Sequence, residues 1–161
     1  MKRILFVSLL LCNTHLYAID SNEVSRLLEK AELIRTADSK SFTNILAEVE
    51  TNYSALTIEQ KLFLTYLKGF ESFKNGNIDE AIYRFQDVEE NSSDRELRFK
   101  ASVTLANLYS LKKDWQNGFK YLDKLAREQK HITDAEVKYY ALTAPASFYS
   151  NLEQYETSRH F

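Results

Sequence analysis

From Ser21 onward the apolar residues of this chain recur at three- and four-residue steps, the spacing of helices that each bury one stripe. Val24, Leu27, Leu28, Ala31 and Ile34 make a first stripe, and Phe42, Ile45, Leu46 and Val49 a second, with Asp38-Ser39 as a start signal between them. Phe63, Tyr66, Leu67, Phe70 and Phe73 make a third, and Ile78, Ala81, Ile82, Phe85 and Val88 a fourth. Segments of about ten to fifteen residues with short joints predict antiparallel neighbours.

Helix starts repeat as well. A Ser or Thr followed three residues later by Glu or Gln can satisfy two orphan backbone donors reciprocally, and Thr57…Gln60, Ser93…Glu96 and Thr133…Glu136 have this form. The three lie 36 and 40 residues apart, each ahead of apolar steps, and so predict a recurring helix start. Second helices align too: the run from Gly76 to Phe85 matches the run from Lys113 to Leu122, with small Ala81 and Gly118 in register and Ser158 a further 40 residues on. Small side chains there are expected where the two helices of a pair cross closely.

Gly69, Gly76, Ile78, Ala81 and Phe85 fall where the tetratricopeptide (TPR) pattern has its Gly, Gly, Tyr, Ala and Phe, a motif with a period of about 34 residues. The second unit has Ala106, Lys113, Trp115, Gly118 and Leu122 at those places, with Tyr109 on the aromatic site of its first helix; the third has Ala146, Tyr149, Tyr155 and Ser158. The chain thus resembles a divergent TPR protein. That resemblance implies an all-α fold, a TPR-like α-solenoid of antiparallel helix pairs in a right-handed superhelical stack. The expected organisation is a leader over 1–18, an N-terminal helix pair over 19–55, and two TPR-like units plus an incomplete third over 56–161. Trp115 is expected to pack between units. Pro145 falls inside the first helix of the third unit and predicts a kink or break near Ala141, since it removes a backbone donor. The second helix of that unit is expected from about Gln154. An array of this kind usually ends in a helix with a polar outer face, so a truncated C-terminal end is expected.

Composition narrows the function. Three Gly and one Pro in 161 residues leave little punctuation for β architecture, and the length suffices for a packed core without staples. Lys2-Arg3, an apolar run from Ile4 to Cys12 broken only by Ser8, and a polar stretch ending at Ala18 have the outline of a secretory signal peptide, with cleavage expected after Ala18. The run is too short to span a bilayer. Cys12 superficially resembles a lipoprotein cleavage cysteine, but bulky Leu11 before it argues against lipidation, and without the leader no thiol remains. Export to the periplasm of a Gram-negative bacterium is the expected localisation. Losing Lys2 and Arg3 from the 21 basic residues leaves 19 against 23 acidic ones, a net −4, so no nucleic-acid partner is expected.

Candidate chemistry is sparse. Gly69, Gly76 and Gly118 are isolated and form no phosphate loop. His15 belongs to the leader, and His131 and His160 lack a Cys or paired His at metal spacing. Asp79-Glu80, Glu89-Glu90 and Asp94…Glu96 flank helix ends, where carboxylates serve capping and solvation. No catalytic residue, metal or cofactor is expected.

What remains is a surface. In TPR-like arrays the first helices line a concave groove, and the resemblance implies Tyr66, Phe70 and Lys74 in the first unit, Lys100 and Asn107 in the second and Tyr140 in the third as candidate groove residues, flanked by Phe73, Val103, Ser110, Thr143 and Ser147. A protein or peptide ligand is the expected partner. An exported leader, a helix pair before the first unit, and runs such as Glu96 to Ala101 and Leu105 to Tyr109 are similar to the periplasmic input regions of bacterial sensor diguanylate cyclases, in which such repeats precede a membrane helix and a cytoplasmic GGDEF domain. The resemblance implies a sensory input module without the catalytic domain, linked to a membrane only through a longer chain. A free-standing exported scaffold or adaptor for cell-envelope assembly is the alternative.

Overall fold

A computed structural model describes residues 20–158; the expected leader, Cys12 and His160 lie outside them. The described residues form seven α-helices and no strand: α1 Ser21–Ile34, α2 Ser39–Glu50, α3 Ile58–Lys74, α4 Ile78–Asn91, α5 Arg95–Leu111, α6 Trp115–Glu128 and α7 Ala135–Ser158. The apolar stripes that predict these helices are the ones they bury. Val24, Leu27, Leu28 and Ala31 of α1 face Phe42, Ile45, Leu46 and Val49 of α2, and Ala81, Ile82, Phe85 and Val88 of α4 pack on α3. None of these helices is long and apolar enough to cross a membrane.

The helix starts differ from the expected boxes in two of three cases. Thr57 and Gln60 form the reciprocal box at α3. At α5, however, the cap is Asp94, whose carboxylate accepts from the backbone of Glu96 and Leu97, and at α7 the Asp134 carboxylate accepts from the Val137 N–H at 2.9 Å. An Asp one position later out-competes the Ser or Thr, because an ionised acceptor makes a stronger bond to the helix N-terminus.

The freed hydroxyls bind across units instead. Glu59, in the first turn of α3, accepts from Ser92 Oγ at 2.7 Å, Ser93 N at 2.8 Å and Ser93 Oγ at 2.6 Å. Glu96, in the first turn of α5, repeats the clasp on Thr133 Oγ1 at 2.6 Å, Thr133 N at 3.2 Å and Asp134 N at 3.1 Å. On the other side, Gln60 Nε2 donates to Ser21 O at 2.8 Å and to Ser25 Oγ at 3.1 Å. These bonds place the starts of α1, α3, α5 and α7 side by side in that order, while α4 and α6 return on short turns and pack against α3 and α5.

The clasps carry a pH signature. Hydrogen bonds from Ser93 hold the Glu59 carboxyl below its ordinary value, and those from Thr133 do the same for Glu96. A carboxyl depressed on folding contributes stability that is present above its unfolded value, near 4.5, and is lost as pH falls through the folded one. Stability should therefore drop below pH ~4.5 more steeply in the wild type than in Glu59→Gln/Glu96→Gln. At neutral pH that double variant should lose roughly 1 kcal/mol per clasp, discounted for solvent exposure. Urea unfolding as a function of pH checks both, and parallel pH profiles would refute the assignment.

The turns after α3 and α5 are equivalent. Gly76 has φ +80°, and Lys113, in register with it, has φ +61°, where a side chain is strained. In both turns the next residue bonds back five positions, Asn77 N to Ser72 O and Asp114 N to Tyr109 O, each at 2.9 Å.

Three further expectations are corrected. First, α7 does not break near Ala141: it runs unbroken through Pro145, because Val137, Ala141, Ala144 and Phe148 form one buried stripe across the proline, and packing of that stripe outweighs the lost bond. Second, and for the same reason, Tyr155 and Ser158 belong to α7 and not to a separate second helix. Third, Gly118 makes room for Phe148 of α7 and not for its hairpin partner, while within the α3–α4 pair Gly69 is a close approach, an added Cβ there lying 2.8 Å from the Phe85 ring. Trp115 does meet the next helix, edge-on to Phe148 at 5.7 Å and beside Tyr155 at 5.5 Å.

Candidate functional site

Three of the helices whose starts are clasped together, α3, α5 and α7, wall a cavity of about 510 Å³ with the turn that follows α1. Positions 66, 70, 73 and 74 of α3 and 100, 103, 104, 107, 108 and 111 of α5 recur at helical steps, so each set forms one continuous face. Val137 and Tyr140 of α7 close one side, and Arg35 and Thr36, in the turn between α1 and α2, close the other. All six candidate groove residues, Tyr66, Phe70, Lys74, Lys100, Asn107 and Tyr140, line this one cavity, as do Phe73 and Val103. Ser110, Thr143 and Ser147 do not. Ser110 is buried and accepts from Asn151 Nδ2 of α7 at 2.9 Å, so its hydroxyl is spent on joining two helices.

The wall is built from behind by aromatic packing. Phe85 of α4 sits edge-on to Tyr66 at 5.5 Å and to Phe70 at 5.1 Å, and those two rings meet each other edge-on at 5.1 Å. Gly69 is what lets Phe85 reach this position. Burial pushes the Tyr66 phenol upward, with the negative charge of Glu32 adding to the effect, so it stays a neutral hydroxyl at physiological pH.

Charge is uneven around the cavity. Arg35, Lys74 and Lys100 line it, and no carboxylate does. Lys100 Nζ lies 2.9 Å from Glu32, which also stands 3.8 Å from Arg35, so one acid serves two bases. The Arg35 guanidinium lies 4.9 Å from the Phe70 centroid. Lys74 donates to Ser39 Oγ at 2.7 Å and lies 5.7 Å from the Phe42 centroid. Asn107 Oδ1 is buried with no hydrogen-bond partner among the described residues, an acceptor in need of a donor. Glu32, Asp134 and Glu136 gather at an adjoining depression of about 200 Å³ that shares Arg35, Lys100 and Tyr140 with the main cavity.

The cavity lining contains no Ser, Cys or His, and among the described residues no group of three or more His, Cys, Asp or Glu could hold a metal ion. What it offers is apolar area, three cations and one unpaired acceptor.

Compared with family models, curated proteins and solved structures, the chain matches none.

Sequence reasoning misses Arg35, Thr36, Thr104, Leu108, Leu111 and Val137. Thr104, Leu108, Leu111 and Val137 continue the same helical faces and were legible from the spacing. Arg35 and Thr36 carry no such signal, since a turn is placed by the packing of the helices it joins.

Proposed function

We propose that this chain is an exported TPR-like binding module whose cavity takes an apolar protein or peptide segment with an acidic group. The observation that carries the reading is the lining: apolar walls on three successive first helices, rimmed by Arg35, Lys74 and Lys100 with Glu32 shared behind two of them, and holding the unpaired Asn107 Oδ1. A peptide supplies what that combination lacks, a side chain for the apolar wall, a backbone N–H for Asn107 and a carboxylate for the rim. The side-by-side order of α1, α3, α5 and α7 supports the stacked helix-pair architecture; its right-handed superhelical form follows from the TPR resemblance.

Selection of peptides from a displayed library, followed by calorimetry, tests it. Selected peptides should share a bulky apolar residue near an acidic one, and Asn107→Ala or Lys74→Glu should each weaken binding about tenfold. Peptides whose affinity is indifferent to both substitutions would place the binding surface elsewhere. Within this reading, the resemblance to sensor input regions favours a signalling role, with ligand capture passed to a diguanylate cyclase output on a longer polypeptide. A membrane helix and GGDEF sequence encoded in frame downstream would select that role, and a stop at the same place in related genomes would select a free-standing envelope scaffold.

A further inference from the structure

α7 is apolar on two opposite faces. Val137, Ala141, Ala144 and Phe148 are buried against α5 and α6, while Tyr139, Leu142, Ala146 and Tyr149 form a second stripe that is exposed, the three larger residues by 63%, 67% and 53%. At 100° per residue the centres of the two stripes lie about 150° apart, with Tyr149 at the edge that meets Phe119 of α6 at 6.0 Å. The outward face of α6 shows the contrast, since it carries Gln116, Lys120, Asp123 and Arg127.

Aligning the first helices on their clasp positions, Glu59, Glu96 and Glu136, identifies what the exposed stripe is. Its four places correspond to Leu62, Thr65, Gly69 and Ser72 of α3 and to Phe99, Ser102, Ala106 and Tyr109 of α5. On α3 this face receives the returning helix α4, with Phe85 over Gly69; on α5 it receives α6, with Tyr121 stacked on Tyr109 at 5.7 Å. Leu62, Ser72, Phe99, Ser102, Ala106 and Tyr109 are all buried as a result. The stripe on α7 is therefore a seat for one antiparallel helix.

We infer that a second copy of this chain fills that seat with its own α7, forming a twofold antiparallel dimer. The stripe is symmetric about residue 144: Tyr139 then faces Tyr149 of the second copy, and Leu142 faces Ala146 of the second copy. In the inner pairing large meets small, as Phe85 meets Gly69 within the α3–α4 pair, and in the outer pairing two phenol rings meet. The 3-4-3 spacing is that of a two-helix seam, and a self-complementary patch closes at two copies. Charge agrees, because exposed Lys138 near one end of the stripe comes beside exposed Glu153 of the second copy near the other, twice per dimer. Tyr140 and Val137 of the cavity lie on other faces of α7, so the interface stands or falls independently of the groove.

Sedimentation equilibrium on the chain purified after expression of its full sequence tests the inference. A monomer–dimer equilibrium is expected, weakened about a hundredfold by Leu142→Asp. It should weaken about fivefold with Lys138→Glu and recover in Lys138→Glu/Glu153→Lys. Since these side chains are exposed, circular dichroism should show unchanged helix content. A monomer at all concentrations, a dimer indifferent to Leu142→Asp, a charge reversal without rescue, or growth into larger polymers would each overturn it.

Discussion

Replacing Phe85 with alanine should lower stability by about 3–5 kcal/mol, the cost of removing a fully buried aromatic side chain and leaving its volume empty. The residue is completely inaccessible and meets Tyr66 and Phe70 edge-on, so those contacts are lost together. The neighbourhood cannot collapse to fill the space, because Gly69 opposite has no side chain to offer. Tyr66 and Phe70 also line the cavity, so the same substitution should loosen its wall and weaken peptide binding under conditions where the protein remains folded. Phe85→Leu restores most of the volume and should cost less than half as much. Urea unfolding of the two variants checks this, and equal midpoints for alanine and wild type would remove Phe85 from its place as keystone.

Gly118→Ala should also destabilise, against the trend that alanine favours a helix over glycine by about 1 kcal/mol. An added Cβ at position 118 would run into the Phe148 ring, and that ring has nowhere to go. It is wholly buried and is held by Trp115 at 5.7 Å, Phe119 at 4.8 Å and Tyr149 at 5.9 Å. Overpacking of this kind typically costs about 1–3 kcal/mol, so the net loss should reach up to ~2 kcal/mol after the helix gain. Combining it with Phe148→Leu should give a loss smaller than the sum of the two singles, since the smaller side chain relieves the clash. Calorimetric melting of the four proteins in the cycle decides it. A raised melting temperature in Gly118→Ala would mean that α6 and α7 are farther apart than described.

Both residues show what the chain alone discloses. The helices were legible because each stripe repeats at three- and four-residue steps, and Gly69 and Phe85 occupy matched places in a repeated pattern. The role of Gly118 was not, because a small residue in register with Ala81 suggests the same neighbour, while the ring that needs the space comes from thirty residues on. The helix starts make a similar point. Ser-x-x-Glu and Thr-x-x-Gln look alike, yet Thr57 and Gln60 bind each other whereas Ser93 is taken by Glu59 and Glu96 binds Thr133. The deciding residues are Asp94 and Asp134, which take over the capping and free the hydroxyls. Pro145 misleads for a physical reason too, since its cost is local and the packing that offsets it spans about three turns of helix. In the cavity, the faces of α3 and α5 follow from spacing, while Arg35 and Thr36 arrive with a turn whose position depends on everything it connects.

The two ends of the first helices are fastened differently. At their starts, charged acceptors and short side chains tie α1 to α3, α3 to α5 and α5 to α7 at close range. At the far end the ties include long lysines, Lys74 to Ser39 and Lys112 to Asp79. Asn151 also fastens the far end of α7 to α5 through Ser110, so the long-armed ties lie toward α2 and α4. Phe73, Lys74 and Leu111 line the cavity near that end, which makes it the doorway through which a guest would enter.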